Sequence, residues 1–267
     1  PMLRMAPKAL KSPSRVDRPQ VIPAEGKRAR RVAVLAGCAQ QVLDPDINTA
    51  TLEVLARNGV EVLIPGRQCC CGGLAWHTGD WPAARDFARR NLAAFPDDVD
   101  AIITNAAGCG STLHEYPLIL RGTADEARAE AFARRVVDVS VFLTRLGLRE
   151  KPAGTGRPQR IAYHDACHLA QAQDIRSEPR DLLRAIPGVK LLELPDTHLC
   201  CGSAGSYNLD QPAIAAALGE KKARAVLASG AEVLASGNIG CLTQLRAHLA
   251  RLGAELPIRH TIQVLRD

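Results

Sequence analysis

The stretch His198-Leu199-Cys200-Cys201-Gly202-Ser203-Ala204-Gly205 contains a cysteine pair followed by glycine, and the chain carries the same pair once earlier, as Cys70-Cys71-Gly72. Each pair has one cysteine far upstream, Cys38 or Cys167, and one far downstream, Cys109 or Cys241. The gaps nearly match: 31 and 37 intervening residues in the first set, 32 and 39 in the second. A four-thiol constellation that recurs at matched spacing is most simply read as a repeated metal centre, with iron in a sulfide cluster as the leading candidate.

The repeat extends outward from the thiols. Arg31-Val32-Ala33-Val34 corresponds to Arg160-Ile161-Ala162-Tyr163, and Gly59 through Leu63 to Gly188 through Leu192. Asp80-Trp81-Pro82-Ala83 corresponds to Asp210-Gln211-Pro212-Ala213, and Gly108-Cys109 to Gly240-Cys241. Short aliphatic runs at 31–36, 60–64, 101–104, 160–164, 189–194 and 231–235 predict strands. Alanine- and leucine-rich stretches at helical spacing lie between them. Asp44-Pro45 predicts a helix cap followed by proline at the first helical position, and Asp80 and Asp210 predict caps for the second helix of each half. Strands alternating with helices imply parallel sheets covered on both faces. The expected fold class is therefore α/β: two tandem duplicated α/β/α domains, each on a parallel sheet, with cysteine loops at the carboxyl ends of the strands. The expected boundaries are 31–150 and 151–267, after a linker at 1–30. Neighbouring strands run about 4.8 Å apart, so loops from adjacent strand ends can gather cysteines that are distant in sequence.

The net charge of +6 belongs to the start of the chain. Residues 1–31 hold nine basic and two acidic groups, and the remainder is close to neutral. The segment also carries Pro1, Pro7, Pro13, Pro19 and Pro23, which predicts a basic, proline-rich linker rather than a nucleic-acid face. Aromatic content of 3% also argues against base-stacking platforms, so no nucleic-acid partner is expected. No secretory h-region and no apolar run of membrane-spanning length occurs. Nine cysteines, with adjacent pairs, suit the reducing cytoplasm better than a disulfide framework. The expected location is cytoplasmic, with peripheral association at the inner face of the plasma membrane as the extension. The chain starts at Pro1 and is read as a truncation or fragment.

The candidate ligands are Cys38, Cys70, Cys71 and Cys109 in the first set, and Cys167, Cys200, Cys201 and Cys241 in the second. Four thiolates satisfy a [4Fe–4S] centre and leave it with a charge of about −2, which calls for hydrogen-bond donors. Gly72-Gly73 and Gly202-Ser203 let backbone N–H groups approach sulfur. Structural zinc in one site is the competing reading, although the Cys-x2-4-Cys knuckles that zinc prefers are absent. A catalytic dithiol is a third. Cys69 is either an extra ligand or a buried bystander. His77, His164 and His168 lie near the thiol loops as candidate ligands, proton carriers or plain hydrogen-bonding neighbours. No dinucleotide fingerprint, nucleophile elbow or HExxH motif occurs, and no catalytic residue is assigned.

The paired pattern resembles the cysteine-rich CCG domains of the heterodisulfide reductase B-like superfamily. Within that group it is most similar to the C-terminal two thirds of glycolate oxidase iron–sulfur subunits. The resemblance runs from about residue 30 to the end. It rests on Gly37-Cys38, Cys70-Cys71-Gly72, Ala107 through Gly110, His198 through Gly205 and Gly237 through Cys241. Fuller family motifs end in Cys-x-x-Cys, whereas here the first of those positions is Ala106 or Asn238. Each half thus offers four motif thiols, which suits a four-ligand cluster better than the five-cysteine noncubane type. The resemblance implies an electron-transfer subunit of an oxidoreductase, inactive alone, with one or two [4Fe–4S] clusters. It implies flavoprotein partner subunits that hold FAD and oxidise a 2-hydroxy acid such as glycolate, and a quinone-linked acceptor. The ferredoxin-like module found at the N-terminus of such subunits, with its Cys-x2-Cys-x2-Cys runs, is absent from this chain. The alternatives are a heterodisulfide reductase B-like or lactate-utilisation-type subunit whose cluster meets a substrate, and a zinc-stabilised assembly protein.

Overall fold

The computed structural model describes residues 12–154 and 156–267. The rest of the expected linker, residues 1–11, lies outside the described residues. The chain divides into two compact units, the first ending at Glu150 and the second running Lys151–Asp267. Each is an α/β domain with its own sheet. Among the described residues, no helix is long and apolar enough to cross a membrane.

In the first unit the strands are β1 (Gln20–Ile22), β2 (Arg30–Val34), β3 (Val60–Ile64), β4 (Ala101–Thr104) and β5 (Val136–Asp138), in the order β1-β3-β2-β4-β5. β2 pairs in parallel with β3 and β4, and β4 with β5; β1 runs antiparallel to β3. Successive residues of a strand point to opposite faces. Val32, Ala33, Val34 and Leu35 are all almost fully buried, so both faces of this sheet are covered. On one face Ala33, Leu35, Ile102 and Val136 pack with Leu92, Phe95, Tyr116 and Phe132. Phe132 is the hub there, edge-on to Phe95 at 5.6 Å and stacked on Tyr116 at 5.5 Å.

The second unit repeats the plan. Its strands are β6 (Gln159–Tyr163), β7 (Val189–Glu193), β8 (Val233–Ser236) and β9 (Ile258–His260), in the order β7-β6-β8-β9, all parallel. The duplication reaches individual hydrogen bonds. Arg31 N donates to Asp100 Oδ2 and Asp100 N returns a bond to Arg31 O; Arg160 and Glu232 do the same.

Several elements differ from the sequence expectation. Residues 20–22, inside the expected linker, form β1, because Ile22 is buried and the strand pairs along the open edge of β3. β5 and β9 are additional to the expected strands. Each is three residues long, too short to show a period, and takes strand form by pairing with β4 or β8. The helix Asp46–Arg57 starts one residue late, with Pro45 at its cap. Asp80 caps the helix Trp81–Ala94 by accepting from Ala83 N at 3.2 Å. Asp210 does not cap its counterpart. It closes an extra turn, Tyr207–Asp210, and accepts from Ser206 Oγ, leaving Gln211 as the cap of Pro212–Ala228.

Candidate metal centres

Each cysteine loop leaves the carboxyl end of a parallel strand: after β2, β3 and β4 in the first unit, and after β6, β7 and β8 in the second. β2 lies between β3 and β4, and β6 between β7 and β8. Chain order therefore reverses beside β2 and β6, where open α/β sheets leave a crevice.

In the first unit Cys38 is the N-cap residue of the helix Ala39–Leu43, and Cys109 is the third residue of Ala107–His114. Both thiols thus sit at helix amino ends, beside backbone N–H groups that have no partner within the helix. Cys38 Sγ lies 3.6 Å from Cys70 Sγ, and the Cys71 thiol lies close enough to Cys109 and Cys70 for both to push its pKa up. The four sulfurs form one contiguous group. Gly72 N and Gly73 N each donate to a sulfur, of Cys70 and Cys71 respectively, at 3.4 Å.

Polar side chains that the sequence did not single out hold this turn. Asn91 Nδ2 donates to Cys70 O and its Oδ1 accepts from Cys69 N, both at 3.0 Å. The Tyr116 hydroxyl donates to Cys71 O at 3.0 Å. The Cys38 loop is tied by Gln68, which accepts from Ala36 N at 2.8 Å, and by Asn48, which donates to Ala36 O at 2.9 Å. Asn48 belongs to a buried network with Gln40, Asn105 and Thr51. The available signal was polar residues on otherwise apolar helix faces: Asn91 shares its buried face with Ala84, Ala88 and Leu92.

Cys69 turns away from the group. Its sulfur lies 3.7 Å from Phe87 O and 3.6 Å from Asn91 Oδ1, and burial pushes its pKa up. His77 also faces elsewhere, with Nε2 3.7 Å from Glu115 Oε2.

In the second unit Cys167 opens the helix Cys167–Ala170, and Cys241 is the third residue of Ile239–Arg251. Cys167 lies close enough to Cys200, and Cys201 to both Cys200 and Cys241, for these neighbours to push their pKa values up. Gly202 N donates to Cys200 Sγ at 3.3 Å, and Asn238 Nδ2 to Cys241 Sγ at 3.5 Å. His168 Nδ1 lies 3.7 Å from Cys167 Sγ. His164 is 2% exposed, and its ligand atom lies within 4.8 Å of those of Cys201 and Cys241. Lys222, also buried, donates to Asp196 O at 2.6 Å on the segment that leads to the cysteine pair.

The thiols are electrostatically interdependent. Contacts with Cys38 and then Cys71 hold Cys70 well below the usual thiol range; the contact with Cys70 pushes Cys38 up, and Cys109 and then Cys70 push Cys71 up. Cys200 is lowered in the same way, between raised Cys167 and Cys201. Cys241 is also lowered, first by its bond from Cys201 and then by His164. Four thiols this close cannot all ionise without a compensating cation.

Two stretches, residues 32–114 and 161–246, match the CCG cysteine-rich domain family. The chain is 35% identical over 260 residues to the probable glycolate oxidase iron-sulfur subunit of Bacillus subtilis, a match covering 97% of this chain and 59% of that protein. It spans about three fifths of that relative's length. It is 29% identical over 236 residues to lactate utilization protein A of Geobacillus thermodenitrificans, covering 88% of this chain and 98% of that protein. A crystal structure of a hypothetical protein from Helicobacter pylori aligns with a TM-score of 0.55 at 12% identity, over 92% of this chain and 51% of that one, a likeness of fold alone. The chain belongs to the CCG cysteine-rich domain family and carries two copies of its domain.

Proposed function

We propose that this chain is an iron–sulfur electron carrier whose two domains each hold a cluster through four cysteines. The ligands are Cys38, Cys70, Cys71 and Cys109 in one, and Cys167, Cys200, Cys201 and Cys241 in the other. The observation that carries this reading is the convergence, in both units, of four sulfurs around a glycine turn whose N–H groups donate to sulfur. The donor chemistry fits iron–sulfur ligation: four thiolates in each group, amide donors for excess negative charge, and helix amino ends beside the flanking ligands. When bound, such a cluster supplies one-electron transfer at a potential tuned by those donors. The chain's own part is to hold the sulfurs rigidly and to shield the middle of each group. Cys71, Cys201 and Cys241 are buried while Cys38 is exposed, so electrons have a short way in at the first centre.

In the full assembly, electrons would come from a flavoprotein subunit that oxidises a 2-hydroxy acid such as glycolate, and would leave toward a quinone-linked acceptor. The glycolate assignment rests on the glycolate oxidase iron–sulfur subunit relative, and the flavoprotein donor and quinone-linked acceptor on the family resemblance. The chain would not oxidise the hydroxy acid alone. The second reading is a lactate-utilisation role, favoured by the match to nearly the whole of lactate utilization protein A.

Purification without oxygen tests the core of the proposal. The protein should be brown, absorb broadly near about 400 nm, and hold about four irons with matching acid-labile sulfide per centre. Colourless protein with stoichiometric zinc would overturn it. Mixing with purified glycolate- or lactate-oxidising flavoprotein, and following cluster reduction, separates the two assignments.

A further inference from the structure

Leu35 and His164 stand at the same place in the two domains. Each is the first residue after the central strand, β2 or β6. Each donates its backbone N–H to the next strand's carbonyl, Leu35 to Ile103 O at 3.0 Å and His164 to Ala235 O at 2.9 Å. Both are 2% exposed. Leu35 packs in the apolar cluster that includes Cys71, as a buried residue beside the cysteine turn should. His164 puts an imidazole there, and neither ring nitrogen makes a hydrogen bond of normal geometry. A buried, unpaired polar group of this kind is costly unless something else satisfies it. What lies beside it is the pair Cys201 and Cys241, with all three ligand atoms within 4.8 Å of one another.

We propose that His164 is a direct nitrogen ligand of the second metal centre, so that the two domains hold chemically different clusters. This rests on the iron–sulfur reading above. The first centre is all-thiolate, because leucine fills the corresponding place. The second combines an imidazole with its thiolates. Imidazole is neutral, so its addition to four thiolates leaves the net charge of the second cluster equal to that of the first, and the two centres differ by the nitrogen donor itself. Ligation also satisfies a ring nitrogen that, among the described residues, has no hydrogen-bond partner of normal geometry. His168 is the rival donor. It lies next to Cys167, at the opposite end of the sulfur chain from Cys241.

The test is pulsed EPR of anaerobically purified, dithionite-reduced whole chain, with and without histidine-only 15N labelling. The wild type should show a nitrogen coupling that changes on histidine labelling. His168→Leu should retain it. His164→Leu, which installs the residue the first domain carries at this position, should lose it while keeping the first centre's signal. If His164→Leu fails to load the second centre, the labelled wild type and His168→Leu still decide the matter. No histidine-dependent coupling in the wild type, or its persistence in His164→Leu, overturns the proposal. Absence of iron and acid-labile sulfide from every sample is a different outcome: it overturns the iron–sulfur reading itself.

Discussion

Arg180 grips Asp165 with both ends of its guanidinium, Nη1 to Oδ1 at 2.8 Å and Nη2 to Oδ2 at 2.7 Å. The Asp165 side chain is 4% exposed and that of Arg180 13%. The guanidinium also bonds Glu193 and lies 4.7 Å over the Tyr163 ring. The pair ties the loop carrying His164 and Cys167 to the helix Ser177–Arg184. The first domain holds the corresponding loop with neutral amides instead, Asn48 and Gln68 on Ala36.

Arg180→Met should therefore be severe. It leaves a buried carboxylate without its partner, a loss of about 3–5 kcal/mol. Thermal unfolding should show the second domain melting earlier, and iron analysis should show loss from the second centre alone. Arg180→Lys should recover only part of this, since an ammonium cannot make the two-pronged contact. An Arg180→Met protein with wild-type melting would refute the account.

Cys201→Ser should remove iron from the second centre and leave the first loaded, because a serine oxygen is a poor substitute for a soft thiolate. Iron and sulfide per chain should fall by about half on the two-cluster reading. Full iron retention would show that Cys201 is not a ligand.

Cys69→Ser should behave oppositely, with iron content unchanged. The serine hydroxyl can still donate to Asn91 Oδ1 or Phe87 O, the contacts the thiol makes now. The stability change should stay below about 1 kcal/mol. Loss of iron from the first centre would make Cys69 a ligand after all.

Gly202→Ala tests the turn. Gly202 has φ of +87°, and an added Cβ would lie 2.3 Å from Ala215 O. Gly230 has φ of +69°, but its Cβ would meet nothing closer than Arg160 Nη1 at 3.8 Å. Gly230→Ala should cost about 1–2 kcal/mol, the left-handed penalty alone. Gly202→Ala should cost clearly more, by the added clash with fixed backbone, and should release the second centre's iron. Equal costs in chemical denaturation would mean that the close approach does not constrain the turn.

Lys222 predicts a pH dependence. Burial lowers its pKa from the usual 10.5. Between the lowered value and 10.5 the unfolded chain binds the proton more readily, so stability rises with pH across that window and falls as pH drops through it. Lys222→Met should remove this slope, read as the wild-type-minus-variant difference in unfolding free energy at matched metal content. It should also lose the bond to Asp196 O, an added cost of about 1–3 kcal/mol for the unsatisfied carbonyl. An unchanged slope would place the ammonium in solvent.

Much of this was legible in the residue order. The strands at 60–64 and 101–104 appear where the aliphatic runs lie, and both quartets of cysteines gather at strand ends. Three strands were not legible. β1 lies between Pro19 and Pro23 in a basic segment whose composition reads as linker, and only the open edge of β3 makes it a strand. β5 and β9 are too short for any pattern. Asp210 carries the same motif as Asp80, yet an extra turn takes it from the capping position.

What the residue order alone determined is the repetition: two α/β halves and two sets of four thiols. Repetition and period are properties of a line, so they survive without coordinates. Direction in space is not such a property. Only the folded chain turns Cys69 toward Asn91 and His77 toward Glu115, and sets His164 beside Cys241, because packing and pairing across the sheet decide where a side chain points.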